Sequence, residues 1–314
     1  MSVPSPQSLE NIRVETRHKI LDGRKIAAEI LVEVAEKIDD LANSGYRPNL
    51  VSISVGETEA SHLYVRNQKR AAKKAGIGFE ERIFAGNVGI DELLGVIHGL
   101  NADPGITGII VQRPVPEQIA INALQSAVHP LKDVEGMHPA SIGNIVYNEL
   151  VMGPCTAVAA VEILKRTRLH LEGLEVVVIG HSEIVGKPIA FLLMSEGATV
   201  TVCLHMTRNL AVHSRQADAI FVAVGKPGLV TGDMIKPGAA LIDIGINQVT
   251  GPNGKIKFTG DADFDSCAEI TGWITPVPGG VGPVTVSILM KNAVTAAQLV
   301  RDKYTKMFSS KSQA

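Results

Sequence analysis

One turn in this 314-residue chain carries the plainest chemistry: Gly180-His181-Ser182-Glu183-Ile184-Val185-Gly186-Lys187-Pro188. An apolar strand (175–179, EVVVI) precedes it, and a helical segment at about 186–196 follows. Strand, glycine turn and helix in that order form a receptor for a dinucleotide. The first glycine permits a tight reversal, and the helix N-terminus offers free N–H groups and a favourable dipole to phosphate. The spacing departs from GxGxxG, because Ser182 stands at the second glycine position and Gly186 falls one residue late. Glycines at such a place can also serve chain reversal alone. Two further glycine turns at strand ends, Gly225-Lys226-Pro227 and Gly245-Ile246-Asn247, favour the ligand reading, since ligands sit at the carboxyl ends of parallel strands.

Regular elements position these turns. Ile26, Ile30, Leu31, Val34 and Ile38 have helical spacing over 24–44, closed by Gly45. A strand at 49–55, a helix at 59–75, a helix near 90–101 and a strand at 107–112 follow. Strands alternating with helices predict a mostly parallel sheet covered on both faces, hence a first α/β domain. The segment 130–156 breaks the alternation with Gly, Pro, Asn and Asp. A helix over 157–167 leads into a second α/β run, with strands at 175–179, 198–203, 219–224 and 240–244. The last apolar helix, about 283–304, is long enough to pack back on the first domain.

Bulk composition narrows the function. The length suits two domains. A net charge of −2 with no Lys/Arg block speaks against nucleic acid and membrane surfaces as partners. No apolar run reaches a membrane span. Residues 1–17 are polar and read as a loosely ordered extension rather than a leader. Cys155, Cys203 and Cys267 show neither metal nor disulfide spacing, which fits a reducing, cytoplasmic setting. No metal is expected. No His is placed to activate Cys155, so it reads as a small packed residue.

The blocks LDGRKIA, the YV pair at Tyr64, IIVQRPVP (109–116), KDVEG (132–136), GHSEIVGKP, VGKPGLV, IKPGAALIDIGIN and TPVPGGVGPVTVSILM together resemble the methylenetetrahydrofolate dehydrogenase/cyclohydrolase family. They occur in the family's order and span roughly 20–304. The resemblance implies two α/β domains with a cleft between them, the second a Rossmann-type doubly wound domain. Folate would bind to 1–156 with the C-terminal helix 285–314, and the nicotinamide dinucleotide to 157–284. It also implies a homodimer formed through the cofactor domains. Tyr64 matches the tyrosine near the pterin, Gln112 the active-site glutamine, and Pro276, Gly279, Gly280 and Gly282 the loop lining both ligands. Thr156 lies in the turn beside the nicotinamide. Gly180, His181, Ser182, Ile184, Val185, His205, Gly225, Ile246, Gly282 and Thr285 fall at cofactor positions.

Three departures matter. The family places a lysine one helical turn after the tyrosine; here it is Gln68, while Lys69 lies about 100° round the helix. Gln68 can hydrogen-bond but cannot titrate, so hydride transfer should survive and cyclohydrolysis should weaken. Glu135 replaces the family's aspartate, a pterin-binding carboxylate, and Arg113 adds a cation that either pairs with Glu135 or stays at the surface. His181 and His205 replace residues that hold the 2′-phosphate of NADP. No acid lies between Ala198 and Arg208 to bind a ribose 2′-OH, so NADP is favoured, with NAD the alternative. The expected function is 5,10-methylenetetrahydrofolate dehydrogenase. The alternatives are a dehydrogenase of another reduced pterin and a folate-binding paralogue without the chemistry.

Overall fold

A computed structural model describes residues 19–56, 59–250 and 256–311; the extension expected over 1–17 lies outside them. Contacts divide the chain into two units. One comprises Ala27–Cys155 with Val286–Ala314, the other Met1–Ile26 with Thr156–Thr285.

In the first unit, α1 (Gly23–Asn43) starts where the Asp22 carboxylate accepts from the N–H groups of Arg24 (2.9 Å) and Lys25 (3.4 Å). Gly45, at φ 74°, turns the chain after it. Then come β1 (Asn49–Val55), α2 (Glu59–Ala75), β2 (Gly78–Phe84), α3 (Ile90–Ala102), β3 (Gly108–Val111), α4 (Ile121–Ala127) and α5 (Pro139–Val146). The parallel sheet runs β2-β1-β3. Val51, Ile53, Ile109 and Val111 pack with Leu93, Ile97 and Leu124 into its core. The sequence reading omits β2. As the edge strand it carries Glu80, Glu81 and Arg82 and is nowhere fully buried, so it lacks the apolar run that marks its neighbours.

The segment read as irregular at 130–156 holds α5 and a 3₁₀ turn at Pro130–Lys132. Its anchor is Lys132, which is 3% exposed. The ammonium donates to the carbonyls of Leu100 (2.8 Å), Asn101 (2.9 Å) and Asp103 (2.6 Å), satisfying the open end of α3.

The second unit contains α6 (Cys155–Lys165), β4 (Glu175–Ile179), α7 (Gly186–Ser195), β5 (Thr199–Cys203), α8 (Leu210–Ser214), β6 (Ala219–Val222), β7 (Ala240–Asp243), β8 (Asn247–Thr250), β9 (Ile256–Thr259), α9 (Phe264–Ile270) and β10 (Trp273–Ile274). Its sheet is parallel throughout, in the order β10-β7-β6-β4-β5. The winding reverses beside β4: β5 lies on one side and β6 on the other. Such a switch point opens a crevice at the carboxyl ends of the two central strands. The antiparallel ribbon β8-β9 is unforeseen, because NQVT and IKFT are short and mostly polar. The last helix, α10 (Val281–Lys311), starts two residues before the expected position. Buried Asn292 on it donates to the carbonyls of Val134 (2.8 Å) and Gly153 (3.3 Å), fixing the helix to the 130–155 segment. Among the described residues, no helix is long and apolar enough to cross a membrane.

Candidate functional site

In the first unit, β1, β3 and α2 bring three of the expected residues together, Tyr64, Gln68 and Gln112. The backbone N–H of Gln112, just past β3, donates to Ile53 O (2.9 Å), which fixes its side chain beside β1. Gln112 Nε2 donates to Ser52 Oγ (3.0 Å) and to Gln68 Oε1 (2.7 Å). Gln68 is fully buried, and its Nε2 has no partner among the described residues. Tyr64 lies one helical turn earlier on α2, on the same face. Lys69 points away and is exposed.

The ionisable groups here are held neutral. Tyr64 is 38% exposed, yet its phenol is raised above the ordinary range, mainly by burial of the oxygen end and then by Glu135 and Cys155. Gln68 opposes this. The half-buried Glu135 carboxyl accepts from Val111 N–H (3.2 Å) and is pushed up to about 8, by burial and by neighbouring Asp133. Asp133 is itself held by Met137 N–H, His138 N–H and the Ser141 hydroxyl. The Cys155 thiol is buried and raised well above its ordinary value, which suppresses nucleophilicity. The pairing of Arg113 with Glu135 is not formed among the described residues. The Arg113 guanidinium donates instead to Gln125 Oε1 (2.9 Å), and only a weaker charge effect reaches Glu135.

In the second unit the glycine turn is backbone architecture. Gly180, at φ 114°, follows β4, and a Cβ there would meet Ala223 O at 2.3 Å. A Cβ on Gly186 would meet Gly180 O at 2.1 Å, so the late glycine provides the close strand–helix approach that the fold needs. Ser182 Oγ accepts from Val185 N–H (3.2 Å), and its carbonyl accepts from Lys187 N–H (3.1 Å), closing the turn onto α7. This cradle and the N-terminal end of α7 fit a pyrophosphate. The exposed rings of His181 and His205 lie 6.1 Å apart. Ile184 and Val185 are half-buried, Ile246 is 66% exposed, and Thr156 lies in the first turn of α6. Thr285 is buried, its hydroxyl donating to Val281 O. Pro276 and Gly279 are half-buried and Gly280 buried, whereas Gly282 is exposed.

Two carboxylates outside the expected set organise these loops. Asp261, fully buried, accepts from the N–H groups of Val224 (2.7 Å), Gly225 (3.0 Å) and Lys226 (2.8 Å) and from Asn247 Nδ2 (2.8 Å). Asp243 accepts from the N–H groups of Gly245, Asp261 and Ala262, and burial pushes its carboxyl up to about 6. Gly23 is likewise explained: its N–H donates to Gly279 O (3.0 Å), and a Cβ would strike Gly280 O. Ser52 could have been noticed, with Ser54, as one of two hydroxyls inside a buried strand; no motif distinguishes Asp261.

The parallel sheet, its switch point and the glycine cradle define a two-unit α/β protein with a Rossmann-type dinucleotide-binding unit. Comparison with known proteins narrows this. Residues 21–135 match the model of the tetrahydrofolate dehydrogenase/cyclohydrolase catalytic domain, and 154–301 that family's NAD(P)-binding domain. A "Bifunctional protein FolD 2" from Mesorhizobium japonicum is 60% identical over 286 residues, covering 91% of this chain and 94% of that one. A "Bifunctional protein FolD" from Rhodobacter capsulatus is 57% identical, with coverages of 89% and 93%. The crystal structure of the Trypanosoma brucei methylenetetrahydrofolate dehydrogenase-cyclohydrolase, complexed with NADP and an inhibitor, is 38% identical. It superposes with a TM-score of 0.85, covering 89% of this chain and 97% of that chain. The chain belongs to the tetrahydrofolate dehydrogenase/cyclohydrolase family.

Proposed function

We propose that this protein oxidises 5,10-methylenetetrahydrofolate to 5,10-methenyltetrahydrofolate with NADP as hydride acceptor, and that its cyclohydrolase activity is weak. The observation that carries the reading is the buried amide of Gln68, hydrogen-bonded by Gln112, where the family has its lysine. Hydride departure from the methylene carbon is driven by the folate nitrogen lone pair and asks the protein mainly for orientation. Tyr64, Gln112 and Glu135 would bind and orient the pterin. Hydrolysis of the methenyl product needs a group that takes and returns a proton, and an amide does neither. Lys69, the adjacent cation, faces solvent.

The dinucleotide would lie on Gly180, Ser182, Ile184 and Val185, with Thr156, Gly225, Ile246, Gly282 and Thr285 around it. When bound, it supplies the hydride acceptor. The absence of an acid after β5, with His181 and His205 flanking the turn, favours NADP over NAD. The exposed apolar residues Phe191, Met194 and Val202 on α7 and edge strand β5 support a homodimer through this unit. The free thiols Cys155, Cys203 and Cys267 suit a cytoplasmic setting. Side-by-side assays of both activities with NADP and then NAD test the proposal. Dehydrogenase turnover far above cyclohydrolase turnover is expected; equal turnovers, with hydrolysis abolished in Gln68→Ala, would overturn it.

A further inference from the structure

The relay Ser52–Gln112–Gln68 has one unspent end. Gln112 Nε2 carries two protons and gives one to Ser52 Oγ and the other to Gln68 Oε1. With its oxygen occupied, Gln68 has only its N–H groups left to offer. By strict distance and angle that nitrogen has no acceptor among the described residues; a looser contact with the Tyr64 hydroxyl, which lowers the phenol, occupies at most one of its two N–H groups, and the side chain is fully buried. Burying a donor without an acceptor opposes folding, and native proteins carry few such groups. The position of this one points to a partner from outside the chain. It sits one helical turn from Tyr64, which is partly open to solvent and whose hydroxyl Gln68 influences.

Resting on the folate reading above, we infer that Gln68 is a specificity-determining residue: a donor of fixed direction that requires an uncharged acceptor atom on the bound pterin, a carbonyl oxygen or a ring-nitrogen lone pair. A lysine would offer a full charge on a flexible stem and would attract carboxylates and carbonyls alike. The locked amide is uncharged and selects by hydrogen-bond polarity, so a pterin with an N–H at that point would leave two donors opposed. The same substitution thus removes proton transfer and keeps, in sharper form, a recognition contact.

The test is calorimetric binding of tetrahydrofolate to the full chain and its variants, with NADP binding as the control for folding of the other unit. Gln68→Met keeps the length and removes the donor, and should weaken tetrahydrofolate binding roughly tenfold. Gln68→Glu keeps the shape, lets Gln112 still donate, and turns a second acceptor towards the ligand; its loss should exceed that of Gln68→Met. Ser52→Ala lies at the far end of the relay and only loosens the lock, so its loss should be a few-fold; it remains informative if either Gln68 variant is poorly folded. NADP affinity should be unchanged in all three. Wild-type affinity in Gln68→Met would overturn the inference. So would tight binding by Gln68→Glu, which would mean that the relay runs in reverse with the Gln68 oxygen facing the ligand. Failure of the wild-type protein to bind tetrahydrofolate would remove the folate reading itself, and this inference with it.

Discussion

The turn after β4 makes its receptor from backbone, whereas the group around Gln112 is made from side chains, and the two respond differently to a changed residue. The turn lacks the standard glycine spacing, yet Gly186, one place late, still brings α7 against the Gly180 carbonyl. Ser182 fills the second glycine position and is absorbed into the turn's own hydrogen bonds. Geometry survives a change of spelling there. In the side-chain group the fold is equally intact, but one residue, Gln68, puts an amide that cannot titrate where the family has a lysine. A site built from backbone is sensitive to shape, and one built from side chains to atom type.

Four experiments press on that contrast. The largest effect is expected from Gln68→Lys, which should raise cyclohydrolase activity by roughly 10²–10⁴-fold, the usual worth of general acid–base help, and leave the dehydrogenase within a few-fold. Decay of the methenyl chromophore measures it, and an unchanged rate would place the deficit elsewhere. Next is Asp261→Ala, which strands four donors in a buried place. It should cost about 2–5 kcal/mol by chemical denaturation and weaken NADP binding more than tetrahydrofolate binding. This variant asks whether the backbone receptor is self-sufficient; normal stability and normal NADP affinity would show that it is.

Gly186→Ala follows. Its Cβ meets a carbonyl oxygen that can move only with the chain, so a loss of roughly 1–3 kcal/mol is expected, with NADP affinity lowered and tetrahydrofolate affinity kept. Wild-type NADP binding by this variant would remove the shape argument. The fourth experiment concerns Glu135 and reads a dependence on pH. Its carboxyl lies at about 8 in the folded chain, above the ordinary carboxylate value of 4.5. The associated stability is therefore fully present below about pH 4.5 and is lost as pH rises through about 8. Urea midpoints of the wild type should fall relative to Glu135→Gln between those pH values and then level off. A constant difference across the range would mean that the carboxyl is ionised throughout.

Legibility followed the same division. Strands with unbroken apolar runs, such as β3, β4 and β6, stand out because both faces are covered. The edge strand β2 and the ribbon β8-β9 do not, since half-exposed strands carry charges and polar residues that imitate loops. Tyr64 and Gln68 could be paired by helical spacing within one element. The bonds of Gln112 to Ser52 and Gln68 span 60 and 44 residues, so no local pattern announces them. The same distance in sequence hid Asp261, which reaches back 35 to 37 residues to the loop after β6. The resemblance named residues but said nothing of their partners, and of the two readings left open for Arg113, a pair with Glu135 or a surface cation, the exposed guanidinium follows the second and donates to Gln125.

Lys132 has a use beyond holding the end of α3. Its amine is enclosed by three carbonyls and drawn below the ordinary lysine range by burial. A gentle acylating reagent should tag open lysines such as Lys69 quickly and reach Lys132 only when the chain around it lifts away. Three residues further on lies Glu135, so mass-spectrometric timing of acylation at this one amine would clock how often the segment that presents the carboxyl comes undone.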